Sequence, residues 1–112
     1  MRKVWIVAAL SLMLLAACSN KQKVEKPDVL LTEQQMIDVL TDSYLIEAEL
    51  NQKKSVGEDV VLMQKVYYDQ VFEHYGITDS IFEDNMHYYS LDLTTLERIM
   101  DSVMNRFLTA TK

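Results

Sequence analysis

The sequence predicts an all-α protein, a small bundle of three to four amphipathic helices behind an apolar N-terminal segment and a short tether. Apolar residues recur at steps of three and four in several segments, which is the spacing of one helix face. No segment sustains a two-residue alternation, and two glycines and one proline are too few for a turn-rich β fold. Helices must therefore supply the core.

The first helix is predicted to begin near Thr32 and to fade at residues 52–54. Thr32 and Gln35 have the capping-box spacing, with threonine at the N-cap and glutamine three residues on. The stripe that follows at helical spacing comprises Met36, Ile37, Leu40, Tyr44 and Ala48.

The second helix is predicted from about Glu58 to Tyr75. Gly76 then has the features of a residue in the left-handed conformation just past a helix end, with the apolar Ile77 after it. Gly57, between the first two helices, is assigned to a looser turn.

Two further helices are predicted after Gly76. The third begins around residues 78–80, and Asp92 or Thr94 can cap the fourth. The sequence leaves open whether these are two separate helices or one kinked helix.

The N-terminus has the pattern of a secretory signal over residues 1–17. Arg2 and Lys3 precede an apolar run that ends at Leu15, too short for a bilayer core of about 20 residues. The junction Leu15–Cys18 (Leu-Ala-Ala-Cys) resembles the bacterial lipobox. That resemblance implies cleavage before Cys18 and acylation of its thiol and new amine, which anchors the chain to a membrane. Residues 18–27 then form the lipidated cysteine and a flexible tether.

Residues 28–112, called the body below, form one helical domain in this prediction. They hold six Lys and Arg against 16 Asp and Glu, a formal charge of −10. Such a body repels a phosphate backbone, so nucleic acid is not an expected partner. Cys18 is the single cysteine, which excludes an internal disulfide and leaves no thiol for zinc.

No catalytic residue, metal site or cofactor is predicted. Glu83 and His87 lie four apart and could give two metal ligands, but a catalytic zinc needs three, and His74 would have to come from another helix. Asp38 and Asp42 share the same spacing without sign of a cleft. A hydrolase or metal enzyme is therefore the least favoured alternative, and we expect a non-enzymatic protein.

The tyrosines are the candidate binding residues. Tyr67–Tyr68 and Tyr88–Tyr89 are doublets, and neighbours on a helix point about 100° apart. Tyr67 and Tyr89 fall on the apolar stripes, so Tyr68 and Tyr88 are the outward-facing, partner-binding members in this hypothesis. The alternative interpretation is that the tyrosines lie at the boundary of the core, with the ring inside and the hydroxyl in solvent. A cavity lined by Tyr44, Tyr67 and Tyr89 would instead favour a glycan, lipid or peptidoglycan fragment.

The body is similar to the domain of unknown function 4296 family, small lipoproteins of Bacteroidota. The resemblance covers about residues 27–108. It is carried by the order and spacing of short motifs: Pro27 and Leu30; Met36, Ile37, Leu40, Asp42 and Glu47; Tyr67, Val71 and residues 74–77; Phe82, Tyr88, Tyr89, Leu96, Ile99 and Val103.

This resemblance implies a helical lipoprotein of the cell envelope, and it brings no catalytic role with it. Lipoproteins routed to the cell surface often carry acidic residues just after the cysteine, and residues 19–22 (Ser-Asn-Lys-Gln) have none. We therefore expect the periplasmic face of the outer membrane, with an envelope protein as the partner.

Overall fold

The computed structural model describes residues 2–4 and 25–112. Within them the protein is all-helical and has no strand, which confirms the predicted fold class. Residues 2–4 are helical, and four longer helices follow: α1 (Glu33–Ser55), α2 (Val61–His74), α3 (Asp79–Ser90) and α4 (Leu93–Ala110). The last two are separate helices. The predicted cleavage site and Cys18 lie within residues 5–24, outside the described residues.

Side chains satisfy the first N–H groups of three helices, as the sequence predicts. At α1, Thr32 Oγ1 accepts the Gln35 N–H at 3.1 Å, and Gln35 Oε1 accepts the Thr32 N–H at 2.8 Å, a complete capping box. Thr78 and Asp92 cap α3 and α4, each accepting the N–H of the residue three positions later at 3.2 Å. The N-termini of these helices are therefore set by residues that are close together in the sequence.

Glycines close both α1 and α2 in the same way. Gly76 has φ +66°, its N–H donates to the Glu73 carbonyl at 3.1 Å, and the Ile77 N–H donates to the Phe72 carbonyl at 2.9 Å. This is a Schellman motif. Gly57 has φ +88°, and the equivalent pair of bonds, both 3.1 Å, closes α1 there. The prediction of a looser turn at Gly57 is therefore wrong, because this glycine also needs the left-handed conformation.

The second helix starts later than the predicted Glu58. The Glu58 N–H belongs to the motif that ends α1, where it donates to a lysine carbonyl. Asp59 Oδ1 accepts the Val61 N–H at 3.1 Å, which places Asp59 before the first turn of α2. Glu58 and Asp59 therefore belong to the connection between α1 and α2.

Helix α1 is the centre of the bundle. Helices α4 and α2 pack against it, and α3 packs against α4. Because α1 is covered from two sides, its buried positions do not follow one stripe: Tyr44 and Ala48 of the predicted stripe are exposed, whereas Val39 and Thr41 are buried. The core cluster comprises Leu31, Met36, Ile37, Leu40, Tyr89, Ile99 and Val103.

Two ion pairs join α1 to α4 at the surface. Arg98 donates to both carboxylate oxygens of Glu33, at 3.0 and 2.6 Å, and Arg106 pairs with Asp38. The Arg98 hydrogen bond holds the pKa of the Glu33 carboxyl below its ordinary value. Exposed ion pairs of this kind contribute little to stability.

Candidate functional site

Tyr68 takes part in the contact between α2 and α1. Its hydroxyl donates to the Glu47 carboxylate, and its ring centroid lies 6.1 Å from that of Phe72. Burial, followed by the hydrogen bond and charge of Glu47, raises the pKa of the Tyr68 phenol. Tyr67 and Tyr68 are both half-buried, so this doublet does not divide into an inner and an outer member as predicted.

The second doublet divides as the sequence predicts. Tyr89 is only 8% exposed, and its hydroxyl donates to the Leu31 carbonyl. Tyr88 is half-buried, with its ring edge-on to Tyr89 at a centroid distance of 5.3 Å. Part of the Tyr88 side chain is therefore accessible, and it lines a pocket of about 340 Å³ with Leu30, Glu33, Tyr89, Leu91, Asp92 and Thr95.

An open groove of about 510 Å³ runs between α1 and α2. Each helix contributes four residues at the i, i+3, i+4, i+7 spacing of one helix face. We call this surface the α1–α2 groove; its residues are Asp42, Leu45, Ile46 and Glu49 from α1, and Tyr67, Gln70, Val71 and His74 from α2.

The α1–α2 groove combines apolar and acidic side chains. Leu45, Ile46 and Val71 are half-buried and give it an apolar lining. Asp42 and Glu49 add two carboxylates, and none of the eight lining residues is Lys or Arg. This combination fits a ligand that is apolar along one side and carries positive charge.

Tyr75 holds one of the two groove carboxylates in place. Its hydroxyl donates to Asp42 Oδ2 at 2.5 Å. Burial, followed by the hydrogen bond and charge of Asp42, raises the pKa of the Tyr75 phenol, so it remains a neutral donor. This bond therefore fixes the direction of the Asp42 carboxylate.

The histidines do not assemble a metal centre. His74 is exposed at the end of α2 and stacks edge-on to Tyr75 at 4.9 Å, and His87 is exposed on α3. Across residues 2–4 and 25–112 there is no group of three or more His, Cys, Asp or Glu side chains placed to hold a metal ion. The spacing of Glu83 and His87 thus gives no complete ligand set in this part of the chain.

Tyr44, Tyr67 and Tyr89 do not line one common cavity. Tyr67 lies in the α1–α2 groove, and Tyr89 borders the pocket of Tyr88. Tyr44 is exposed, and its ring lies 6.3 Å from that of Phe107 on α4. The arrangement that would favour a single tyrosine-lined ligand site is absent from the described residues.

Asn85 is a buried polar residue that the sequence reasoning missed. It is 0% exposed, its Oδ1 accepts the Leu31 N–H at 2.8 Å, and its Nδ2 donates to the Val29 and Ile81 carbonyls at 2.8 Å each. Together with Tyr89, it satisfies both backbone groups of Leu31 and ties the chain before α1 to α3. The available signal was an asparagine one turn before Tyr89 on the same helix face.

Among the residues that the structure describes, no helix is both long enough and apolar enough to cross a bilayer. Comparison of the chain with curated proteins and with solved structures gave no match. Residues 27–112, which include all four numbered helices, match the family model described as Domain of unknown function (DUF4296). That match covers most of the sequence and agrees with the resemblance carried by the tyrosine and helix-end motifs. The chain therefore belongs to the DUF4296 family.

Proposed function

We propose that this protein is a non-enzymatic, lipid-anchored protein of the cell envelope whose body binds another envelope protein. The signal pattern and the Leu-Ala-Ala-Cys junction at Cys18 support the anchor. The α1–α2 groove is the observation that carries the binding role, because it is open, partly apolar and bordered by two helices. The periplasmic face of the outer membrane is the proposed location.

Two features favour binding over catalysis. The groove carboxylate of Asp42 is bonded to the phenol of Tyr75, whose raised pKa makes it a poor proton shuttle near neutral pH. His74, another candidate base there, is exposed and has its ring against Tyr75 rather than against a nucleophile. An oriented pair of acid and base is what a hydrolase would need.

Photo-crosslinking in cells tests the binding role. A photoreactive amino acid at Gln70, in the groove, is compared with one at Asp101, which is exposed on α4. The full-length chain is expected to give a discrete protein adduct from position 70 and none from position 101. Identical adduct patterns from both positions, or no protein adduct at all, would contradict the proposal.

Tyrosine variants of the full-length chain test the aromatic contribution. Tyr88→Ala is expected to weaken recovery of the crosslinked partner if the half-buried ring belongs to the interface, since aromatic side chains are enriched at binding hot spots. Tyr68→Phe keeps the ring and removes only the hydroxyl that donates to Glu47. Full recovery with Tyr88→Ala would remove Tyr88 from the proposed interface, and full recovery with Tyr68→Phe would show that the Tyr68 hydroxyl is not needed there.

The pocket beside Tyr88 supports a second candidate, binding of a glycan or peptidoglycan fragment. It places an aromatic face next to the polar side chains of Glu33, Asp92 and Thr95. Titration of the mature lipoprotein with soluble peptidoglycan fragments, followed by tyrosine fluorescence, tests it. A response that Tyr88→Ala abolishes would favour this candidate, and the absence of any response would exclude it.

A further inference from the structure

We propose that the occupant of the α1–α2 groove is an amphipathic helix of the partner protein that carries Lys or Arg residues seven positions apart. This inference rests on the proposed binding function, and it adds the partner's secondary structure, charge and spacing.

The shape of the groove fits a helix. Its two walls are neighbouring helices, each presenting residues at i, i+3, i+4 and i+7, so the surface between them is a trough parallel to helix axes. Helix α2 buries only Phe72, which packs against Tyr68 and Phe82 and away from the trough. Leu45, Ile46 and Val71 are therefore still partly exposed, and the apolar face of a third helix could cover them, as in helix-in-groove recognition.

The length of the surface sets the length of the occupant. A second depression, of about 360 Å³, shares Glu49 with the groove and continues to Val56 at the end of α1. From Asp42 to Val56 is 14 residues, or about 21 Å along α1 at 1.5 Å per residue. A partner helix of about four turns would cover this distance.

The charges define the polar positions of the occupant. Asp42 and Glu49 are seven residues apart on α1, or about 10.5 Å along its axis. No ion pair in the described residues involves either carboxylate, and the Tyr75 hydroxyl that bonds Asp42 is neutral. Cations at positions i and i+7 of the partner would meet both carboxylates, while the net charge of the body would speed the approach of a basic segment.

Synthetic peptides of about 14 residues, the length of the surface, serve as probes. The first peptide is amphipathic and carries lysines at i and i+7 beside its apolar face. The second has the same composition with the two lysines on opposite faces, and the third carries glutamates in place of the lysines. Binding to the mature lipoprotein in phosphatidylcholine nanodiscs is measured by fluorescence anisotropy, with empty nanodiscs as the blank.

Two charge-matched variants separate the groove from the general acidity of the body. Asp42→Asn with Glu49→Gln removes both groove charges, and asparagine can still accept the Tyr75 hydroxyl. Glu97→Gln with Asp101→Asn removes two exposed charges on α4. Because partly exposed ion pairs contribute modestly, the groove variant should weaken the first peptide about fivefold, and the α4 variant less than about twofold.

The inference requires that the first peptide binds more tightly than the other two and that the groove variant weakens it selectively. Equal binding of the first two peptides, or equal losses in the two variants, would show a non-specific charge effect and overturn it. Tighter binding of the glutamate peptide would show that the groove prefers an acidic partner and would also overturn the inference. If no peptide binds while Gln70 still crosslinks another protein, the basic-helix inference fails and the binding function stands; crosslinking only to a second copy of this chain would overturn both.

Discussion

Replacing Asn85 with leucine tests how the body holds the chain that leads into α1. The asparagine is fully buried and makes three hydrogen bonds of 2.8 Å, to the backbones of Leu31, Val29 and Ile81. Leucine has a similar size but makes none of them, so the change removes polar contacts while leaving the volume of the site nearly filled.

The Leu31 N–H sets most of the expected cost. It is buried in the core cluster, and a buried donor without a partner costs about 1–3 kcal/mol. The exposed Val29 can turn its carbonyl to water, and the Ile81 carbonyl keeps its bond within α3. With about 1 kcal/mol more for the lost bond to Val29, we expect Asn85→Leu to lower the free energy of unfolding by about 2–4 kcal/mol.

Urea denaturation followed by circular dichroism measures this change, and thermal unfolding gives an independent value. For a domain of this size, about 4–8 °C in Tm accompanies each kcal/mol, so Tm should fall by about 8–32 °C. Tyr89→Phe, which removes only the hydroxyl bonded to the Leu31 carbonyl, should cost about 1 kcal/mol. Asn51→Leu, at an exposed position of α1, is the matched control and should change stability by less than about 0.5 kcal/mol.

Equal unfolding midpoints for the native chain and Asn85→Leu would refute the reasoning, because they would show that the Leu31 N–H is satisfied by water in solution. Amide hydrogen exchange supplies the local check. The Leu31 N–H should exchange slowly in the native chain and rapidly in the Asn85→Leu variant.

Three further predictions concern other parts of the chain. Cys18→Ser should abolish incorporation of labelled palmitate and leave the precursor uncleaved, and equal labelling of both chains would contradict this. Gly76→Val and Gly57→Val should each destabilise the body by about 1–2 kcal/mol. This cost comes from the left-handed backbone conformation alone, because a Cβ at either site meets nothing within 4 Å. An unchanged urea midpoint for either variant would show that the corresponding helix ends elsewhere. Hydrogen bonds from the Thr95 hydroxyl and N–H lower the pKa of Asp92, so its charged form stabilises the body above the ordinary pKa of 3.8, and this contribution is lost as pH falls through the lowered value. Urea midpoints from neutral pH to pH about 2.5 should therefore show the native chain converging on Asp92→Asn in acid, and parallel profiles would contradict the assignment.

The helix boundaries were predictable because the interactions that set them are local. The Thr32 cap and the Gly76 helix end involve residues within five positions of each other, and both are present as predicted. The start of α2 was misplaced because Glu58 and Asp59 suit a first helical turn, and the sequence does not reveal that the α1 end motif already uses the Glu58 N–H. Competition between adjacent motifs decided that boundary.

The candidate site was harder to predict from the sequence than the helix boundaries. The partners of Asn85 at Val29 and Leu31 lie 56 and 54 positions away, so its role depends on how α3 packs in the folded chain. The angle between neighbouring helical residues could not decide which of Tyr67 and Tyr68 is the more buried. Their environment is set by α1, which forms one wall of the groove beside Tyr67 and supplies Glu47 as the acceptor of the Tyr68 hydroxyl. The helical spacing of the groove residues is visible in the sequence, whereas only the fold shows that no other helix within residues 25–112 lines the groove.

The attachment of Leu31 to α3 has a mechanical consequence. Leu31 bonds to side chains 54 and 58 positions later, so the chain closes on itself just where it enters the bundle. Tension that arrives from the direction of residue 25 is therefore shared between the first and third helices, and α1 cannot be peeled from its N-terminal end until the bonds to Asn85 and Tyr89 have broken. Force applied at that end of the body would therefore meet these two side-chain contacts before it reaches the surface formed by α1 and α2.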